Sequence, residues 1–374
     1  MASPLTVLQL LPALDAGGVE LATLETAQAL TAAGQRAIVV SAGGRLLPRL
    51  LATGAEHITL DIGRKSPLTL RHVLTLRRLL RHTPVDIVHA RSRLPAWVGL
   101  WALRSLPRPS RPAFVTSVQG LNSPSRYSAV MTYGDRVICV SRTVRDYVLR
   151  HYPRTDPRRL RLIMDGIDND RFHPVSAPRM QMRAALAAMH PALAGDGPLL
   201  LLPGRGTRLK GHADALQLLA GLRAQAGCDA RLWLPGARQS GREAYIAELD
   251  ALARELGVAE AVLFSEPVTD MPQAYAASDL VLQLSRKPEA FGRSVGEALA
   301  MGVPVLGWDH GGAGELLAEL QPHGAVPPFD AAALLATARI LLASPPAPLS
   351  CIPYTLAATQ YATLELYAEL VRHR

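Results

Sequence analysis

Lysine is almost missing from this chain. Of its 40 basic side chains only three are lysines, Lys65, Lys210 and Lys287, so arginine is the default cation and each lysine stands out. Cysteine is scarce too. Cys139, Cys228 and Cys351 lie far apart with no Cys-x-x-Cys pair, which argues against a disulfide framework or a thiolate zinc site and fits a reducing compartment. Aromatics are 5% of the residues and do not interleave with the arginines, which excludes a stacking surface for nucleic acid. No apolar run approaches the roughly 18 residues of a spanning helix, and residues 1–7 lack the basic start of an export signal. The expectation is a cytoplasmic protein.

What is present points to a globular chain. Hydrophobic residues make up 49% and charged residues 19%, enough apolar material for a substantial core. At 374 residues the chain exceeds one ordinary core, so two domains are expected. The net charge of +9 is uneven: residues 1–183 hold 26 Lys and Arg against 12 Asp and Glu, whereas residues 184–374 hold 14 against 19. The first half is therefore either a solvated arginine-rich surface or one that faces an anionic partner.

Short β-branched runs at 5–11, 37–40, 58–60, 87–89, 114–118 and 137–140 alternate with helix-period stretches, and a second series follows at 199–202, 231–234, 262–264, 280–284 and 303–306. This alternation predicts parallel sheets with helices on both faces. The fold class is α/β, with two Rossmann-like doubly wound domains facing across a cleft, since open parallel sheets bind ligands at the carboxyl ends of their strands. Pro174, Pro178 and the turn Gly195-Asp196-Gly197-Pro198 put the boundary near His173. That gives domains at 1–173 and 174–354 and, after the proline-rich stretch 345–353, a closing helical segment at 355–374.

The densest constellation is Lys287-Pro-Glu289-Ala-Phe291-Gly292-Arg-Ser-Val-Gly-Glu297. With Glu289 on a loop after a strand and Glu297 one to two turns into the next helix, both carboxylates can face one ligand at a helix N-terminus, where free N–H groups and the dipole favour phosphate. The plain alternative is an amphipathic helix with solvated glutamates. Upstream, Gly204-Arg205-Gly-Thr-Arg-Leu-Lys210-Gly211 sets two cations at a strand end, suited to a diphosphate; it lacks the Gly-Lys-Ser/Thr of a P-loop. Asp15-Ala16-Gly17-Gly18-Val19-Glu20 opens the first helix with two glycines.

Together with Gly311-Gly312-Ala-Gly-Glu315, these features resemble family 4 of the retaining glycosyltransferases, which have the GT-B fold. The resemblance covers nearly the whole chain and is strongest over 288–317, where it is similar to proteobacterial enzymes that build lipopolysaccharide core and related envelope sugars. It implies that Gly17 and Gly18 lie near the donor phosphates and the acceptor, that Arg205 and Lys210 grip the diphosphate, and that Glu289 sits at the transferred sugar near the amides of Phe291 and Gly292. It further implies that Glu297 holds the ribose hydroxyls, that Glu315 lies near the nucleotide side, and that the last helix crosses back to the N-terminal domain. There are departures. Where many relatives have His-x-His, this chain has His89-Ala90-Arg91, and where many have His-Gly it has Gln119-Gly120; both concern the acceptor side. Asp168-Asn169-Asp170 imitates a metal motif but lies in a tract that resembles the family's Asn-Gly-Val-Asp segment.

What the resemblance implies is a retaining, metal-independent hexosyltransferase with no cofactor, whose partners are a nucleotide sugar, a UDP-sugar by preference, and a glycan or lipid-linked acceptor. A same-fold UDP-sugar epimerase and a non-catalytic membrane-surface protein are the alternatives. The segment 68–82 projects as an amphipathic helix, with Leu70, Val73, Leu74 and Leu80 on one side and Arg71, Thr75, Arg78 and His82 recurring along another. Such a helix either packs its leucine side on its own sheet or, with Arg45, Arg49, Arg64 and Lys65, offers a basic face for the anionic inner leaflet of the membrane.

Overall fold

The computed structural model describes residues 4–15, 17–175, 179–225 and 228–372; Ala16 of the glycine motif and Pro178 of the boundary tract lie outside them. The chain divides into two compact units, Met1–Gly166 with Leu356–Arg374, and Ile167–Thr355.

The first unit runs β1 (Thr6–Leu10), α1 (Gly18–Ala32), β2 (Arg36–Ser41), α2 (Leu47–Ala52), β3 (Glu56–Thr59), α3 (Arg71–His82), β4 (Ile87–Ala90), α4 (Arg93–Arg104), β5 (Ala113–Val118), β6 (Arg136–Cys139), α5 (Arg142–His151) and β7 (Leu160–Leu162). Its seven strands are all parallel, in the order β3-β2-β1-β4-β5-β6-β7. β1, β4 and β5 are buried along their whole length, as expected of strands covered on both faces. The second unit runs α6 (Arg179–Met189), β8 (Leu199–Leu201), α7 (His212–Arg223), β9 (Arg231–Pro235), α8 (Glu243–Glu255), β10 (Val262–Ser265), α9 (Met271–Ala276), β11 (Leu280–Gln283), α10 (Arg293–Ala300), β12 (Val305–Trp308), α11 (Gly311–Leu320), β13 (Ala325–Val326) and α12 (Ala331–Ala343). Its parallel order is β10-β9-β8-β11-β12-β13. In each sheet the winding reverses once, between β1 and β4 and between β8 and β11. Those reversals open crevices at the carboxyl ends of the strands, where ligands bind.

The units divide at Gly166, earlier than the expected boundary after His173. The cause is local packing. The Ile167 N–H donates to the Tyr354 carbonyl at 2.8 Å, Ile167 fills the space beside Gly296, and Phe172 meets Tyr275 edge-on at 6.1 Å. Residues 167–172 are thus already held in the second unit. A last helix, α13 (Leu356–Arg372), belongs to the first. Thr363, Leu366, Tyr367 and Leu370 form one helical stripe that is buried, and the last three join that unit's core. Glu369 pairs with Arg136 at 2.5 Å and Arg161 at 3.2 Å, which holds its carboxyl below the usual value.

The face of α3 differs from the sequence expectation. Leu76 and Leu80 are its buried side chains, whereas Leu70 and Leu74 are exposed and Leu68, just before the helix, is 69% exposed. The helix packs mainly on α4 rather than on the sheet, so only the narrow stripe that faces α4 is buried. Arg71, Thr75, Arg78 and His82 are exposed as expected.

Candidate active site

In the second unit, the loop after β8 carries Arg205 and Lys210. Gly211 ends that loop with φ +75°, and a Cβ there would lie 2.0 Å from the Leu284 carbonyl oxygen, so the loop sits directly on the end of β11. The Arg286 N–H donates to the Leu209 carbonyl at 2.8 Å and ties the two loops together. The winding reversal thereby brings Lys210 to Glu289: its ammonium donates to Glu289 Oε1 at 2.5 Å. Arg205 is exposed, and its guanidinium has no partner among the described residues.

Glu289 is held from several sides. Besides Lys210, the Ser285 hydroxyl donates to Oε1 at 2.5 Å and the Gln283 amide to Oε2 at 3.1 Å. Burial opposes its charge, but the Lys210 ammonium and these donors outweigh burial and hold the carboxyl below its usual value. The glycines that follow β12 lock the same loop from the far side. A Cβ on Gly312 would lie 2.3 Å from the Ala290 carbonyl oxygen, and the Gly312 N–H donates to the Glu289 carbonyl at 2.8 Å. Gly292 then starts α10. The N–H groups of Phe291 and Gly292 find no acceptor among the described residues, so open amides follow directly on the fixed Glu289 carboxylate, while the free Arg205 guanidinium lies on the Lys210 loop. Such donors suit an anion.

Glu297 lies in the second turn of α10, and the Tyr275 hydroxyl donates to its Oε2 at 2.8 Å. Burial, then the Glu297 charge, pushes the Tyr275 hydroxyl well above its ordinary value, so it remains a donor. Gln283, Ser285 and Tyr275 were not foreseen. A glutamine inside the apolar run Leu280–Gln283 was the available signal for the first; nothing marked Tyr275. Glu315 stands on α11.

Gly17 and Gly18 lie in the first unit. Gly17 precedes α1 with φ +145°, and a Cβ on Gly18 would meet nothing within 4 Å, leaving space above that helix start. His89 is fully buried, with Nδ1 at 2.6 Å from the Tyr367 hydroxyl and Nε2 at 2.6 Å from the Ser117 hydroxyl. Burial holds it neutral, well below its ordinary value, and both nitrogens are satisfied, which assigns it to the core. Arg91 is buried on Gln9 and Thr26. Asp168 accepts from the N–H groups of Asp170 and Arg171, so its carboxylate holds a turn. Among the described residues, no three His, Cys, Asp or Glu side chains gather as a metal site, and no helix is long and apolar enough to cross a membrane.

Two family models match this chain, Glycosyltransferase Family 4 over residues 16–171 and Glycosyl transferases group 1 over residues 190–357. The chain belongs to glycosyltransferase family 4. A glycosyltransferase from Rickettsia africae shares the fold over the full length of both chains, with 25% identity and a TM-score of 0.85. Anabaena HepE, solved with UDP and glucose, is 21% identical over 99% of this chain and 98% of its own, with a TM-score of 0.74. The D-inositol 3-phosphate glycosyltransferase of Xylanimonas cellulosilytica is 34% identical over 185 residues, 49% of this chain. The match spans 42% of that relative's length.

Proposed function

We propose that this chain is a retaining, metal-independent glycosyltransferase that moves a sugar from a UDP-sugar onto a cell-envelope glycan such as lipopolysaccharide core. The observation that carries the reading is the meeting of Lys210 and Glu289 across the β8/β11 reversal, with an unpaired Arg205 on the same loop as Lys210. In the proposed reaction the bond from the sugar's anomeric carbon to the diphosphate breaks. A bond from that carbon to the acceptor oxygen forms on the same face, and the acceptor's proton passes to the departing phosphate oxygen. The cations stabilise the charge that grows on the diphosphate. Glu289, acidified by its donors, is a poor proton acceptor, which leaves that task to the phosphate and fits Glu289 for holding sugar hydroxyls. Glu297, oriented by Tyr275, accepts from the ribose hydroxyls.

The UDP complex of the Anabaena neighbour supports the choice of base, and the likeness of 288–317 to enzymes of the bacterial envelope supports the acceptor. Screening UDP-, GDP- and ADP-sugars by thermal shift tests the donor. A ligand at a hundred times its Kd stabilises by about 2.7 kcal/mol, so UDP and its sugars should raise the melting temperature most. A larger rise with another nucleotide would replace UDP, and no rise with any would reject the donor site.

The acceptor's lipid would bring the first unit to an anionic membrane surface. Leu68, Leu70 and Leu74 are exposed, as are Arg64, Arg71 and Arg78 in the same stretch of chain, and each cation near an anionic surface contributes about 1 kcal/mol.

A further inference from the structure

We propose that a cavity between α7 and α12 of the second unit binds a neutral pyranose, as a carbohydrate site separate from the one assigned to the donor. The cavity is about 510 Å³, and its walls come from those two helices, from the ends of β11 and β12 and from the turn before α12. None of Arg205, Lys210, Glu289 and Glu297 lines it.

The polar groups of the cavity select against a charged ligand. Arg286 and Asp214 are the charged residues among its described walls, and the guanidinium donates to both carboxylate oxygens, at 2.7 and 2.9 Å. The pair neutralises itself, so a phosphate meets the Asp214 charge, an amine meets the Arg286 charge, and neither gains. Hydrogen-bonding capacity remains: further N–H donors on Arg286, lone pairs on Asp214, and the exposed Gln217 amide, which has no partner among the described residues. Donors and acceptors side by side suit hydroxyls, which are both.

The rest of the wall is apolar. Phe329, 48% exposed, has φ +68° and is the one non-glycine residue with positive φ among the described residues. A bulky side chain rarely adopts that setting and keeps it only where its surroundings fix it. Here the Arg286 guanidinium lies 4.8 Å from the ring centre, and the Trp308 and His310 rings stand 5.8 and 5.9 Å away. Those two rings are inclined to Phe329 by 60° and 82°, so they form no parallel pair to sandwich a nucleobase. The small side chains of Ala213, Ala331 and Ala332 leave the space open. A pyranose carries C–H groups on its faces and hydroxyls around its rim, which matches apolar walls bearing a few polar groups.

Ligand-observed NMR titration of the full chain, saturated with UDP, against glucose, galactose, mannose and N-acetylglucosamine should give saturable binding of at least one. The 6-phosphate and the 2-amino derivative of the tightest sugar, and adenosine, should each bind at least threefold more weakly. Phe329→Gly removes the ring and suits the positive φ; Gln217→Ala changes an exposed side chain and serves if the first variant folds poorly. Each should weaken sugar binding at least threefold while UDP affinity stays within twofold. Asp214→Asn keeps the shape but leaves Arg286 without its counter-charge, so the 6-phosphate should gain at least threefold on the neutral sugar. Four results would each overturn the proposal: no saturable binding of any of the four sugars, binding unmoved by both Phe329→Gly and Gln217→Ala, a charged derivative or adenosine that binds as tightly as the neutral sugar, or no gain for the phosphate in Asp214→Asn. Failure of UDP to bind would count against the donor reading alone, and the same titrations without UDP would still decide this site.

Discussion

Lys210 and Arg205 stand on one loop in different states, one already paired and the other free, and the account requires both. Replacing either with alanine should lower turnover by roughly 10²–10³, as when one preorganised charge-stabilising donor is removed; a variant within about threefold of the parent would contradict the assignment. The Lys210–Glu289 pair also predicts a pH signature. Glu289 is held below its unfolded value, so its contribution to stability is fully present above about pH 4.3 and is lost as pH falls through the folded value. Lys210→Met leaves burial as the dominant influence on Glu289. The loss in melting temperature relative to the parent should therefore be largest near pH 7 and narrow toward pH 4, whereas a pH-independent loss would mean that the pair is not coupled. At the other carboxylate, Glu297→Ala should weaken UDP binding by about 1–3 kcal/mol, and Tyr275→Phe by less, because it only releases the carboxylate's orientation. Unchanged affinity in calorimetry for Glu297→Ala would make it an ordinary helix residue.

The helix α13 is fixed to the first sheet by a buried bond between Tyr367 and His89. Tyr367→Phe keeps the ring but strands His89 Nδ1 in a dry core, and should cost about 1–3 kcal/mol of stability in denaturant unfolding; a change under about 0.3 kcal/mol would show that the bond does not matter. Because His89 is held well below its ordinary value, its contribution is present above about pH 6.5 and is lost as pH falls below that. Much of this architecture was legible in the chain. Alternating apolar runs revealed eleven of the thirteen strands, and the glycine, arginine and glutamate motifs fell on the loops and helix expected of them. The two strands that escaped were the three-residue β7, set among Arg158, Arg159 and Arg161, and the two-residue β13, both too short to show a period. The face of α3 was misjudged because helical projection cannot tell which leucines a neighbouring helix will leave uncovered. Lys210 and Glu289 were legible as motifs, but their pairing through the sheet's winding reversal leaves no local pattern, and Gln283 and Ser285, only six and four residues from Glu289, carry no motif of their own.

The uneven charge of the whole chain, concentrated in residues 1–183, predicts reversible attachment to anionic membranes. Cosedimentation with liposomes rich in acidic lipid should occur at low salt, fail with neutral vesicles, and weaken when Arg71 and Arg78 are reversed to glutamate; indifference to lipid charge or to the reversal would reject the surface. If Arg205 and Lys210 do the work of a metal as proposed, excess EDTA should leave turnover intact, and loss restored by Mn²⁺ or Mg²⁺ would contradict that. The measurement that bears most directly on the central claim is release of UDP from UDP-sugars in EDTA, followed in the presence of lipopolysaccharide-core acceptors for the parent protein and for the Lys210→Ala and Arg205→Ala variants. The account predicts acceptor-dependent release that falls by roughly 10²–10³ in each variant. Release that needs a metal, or that proceeds equally in the variants, would contradict it.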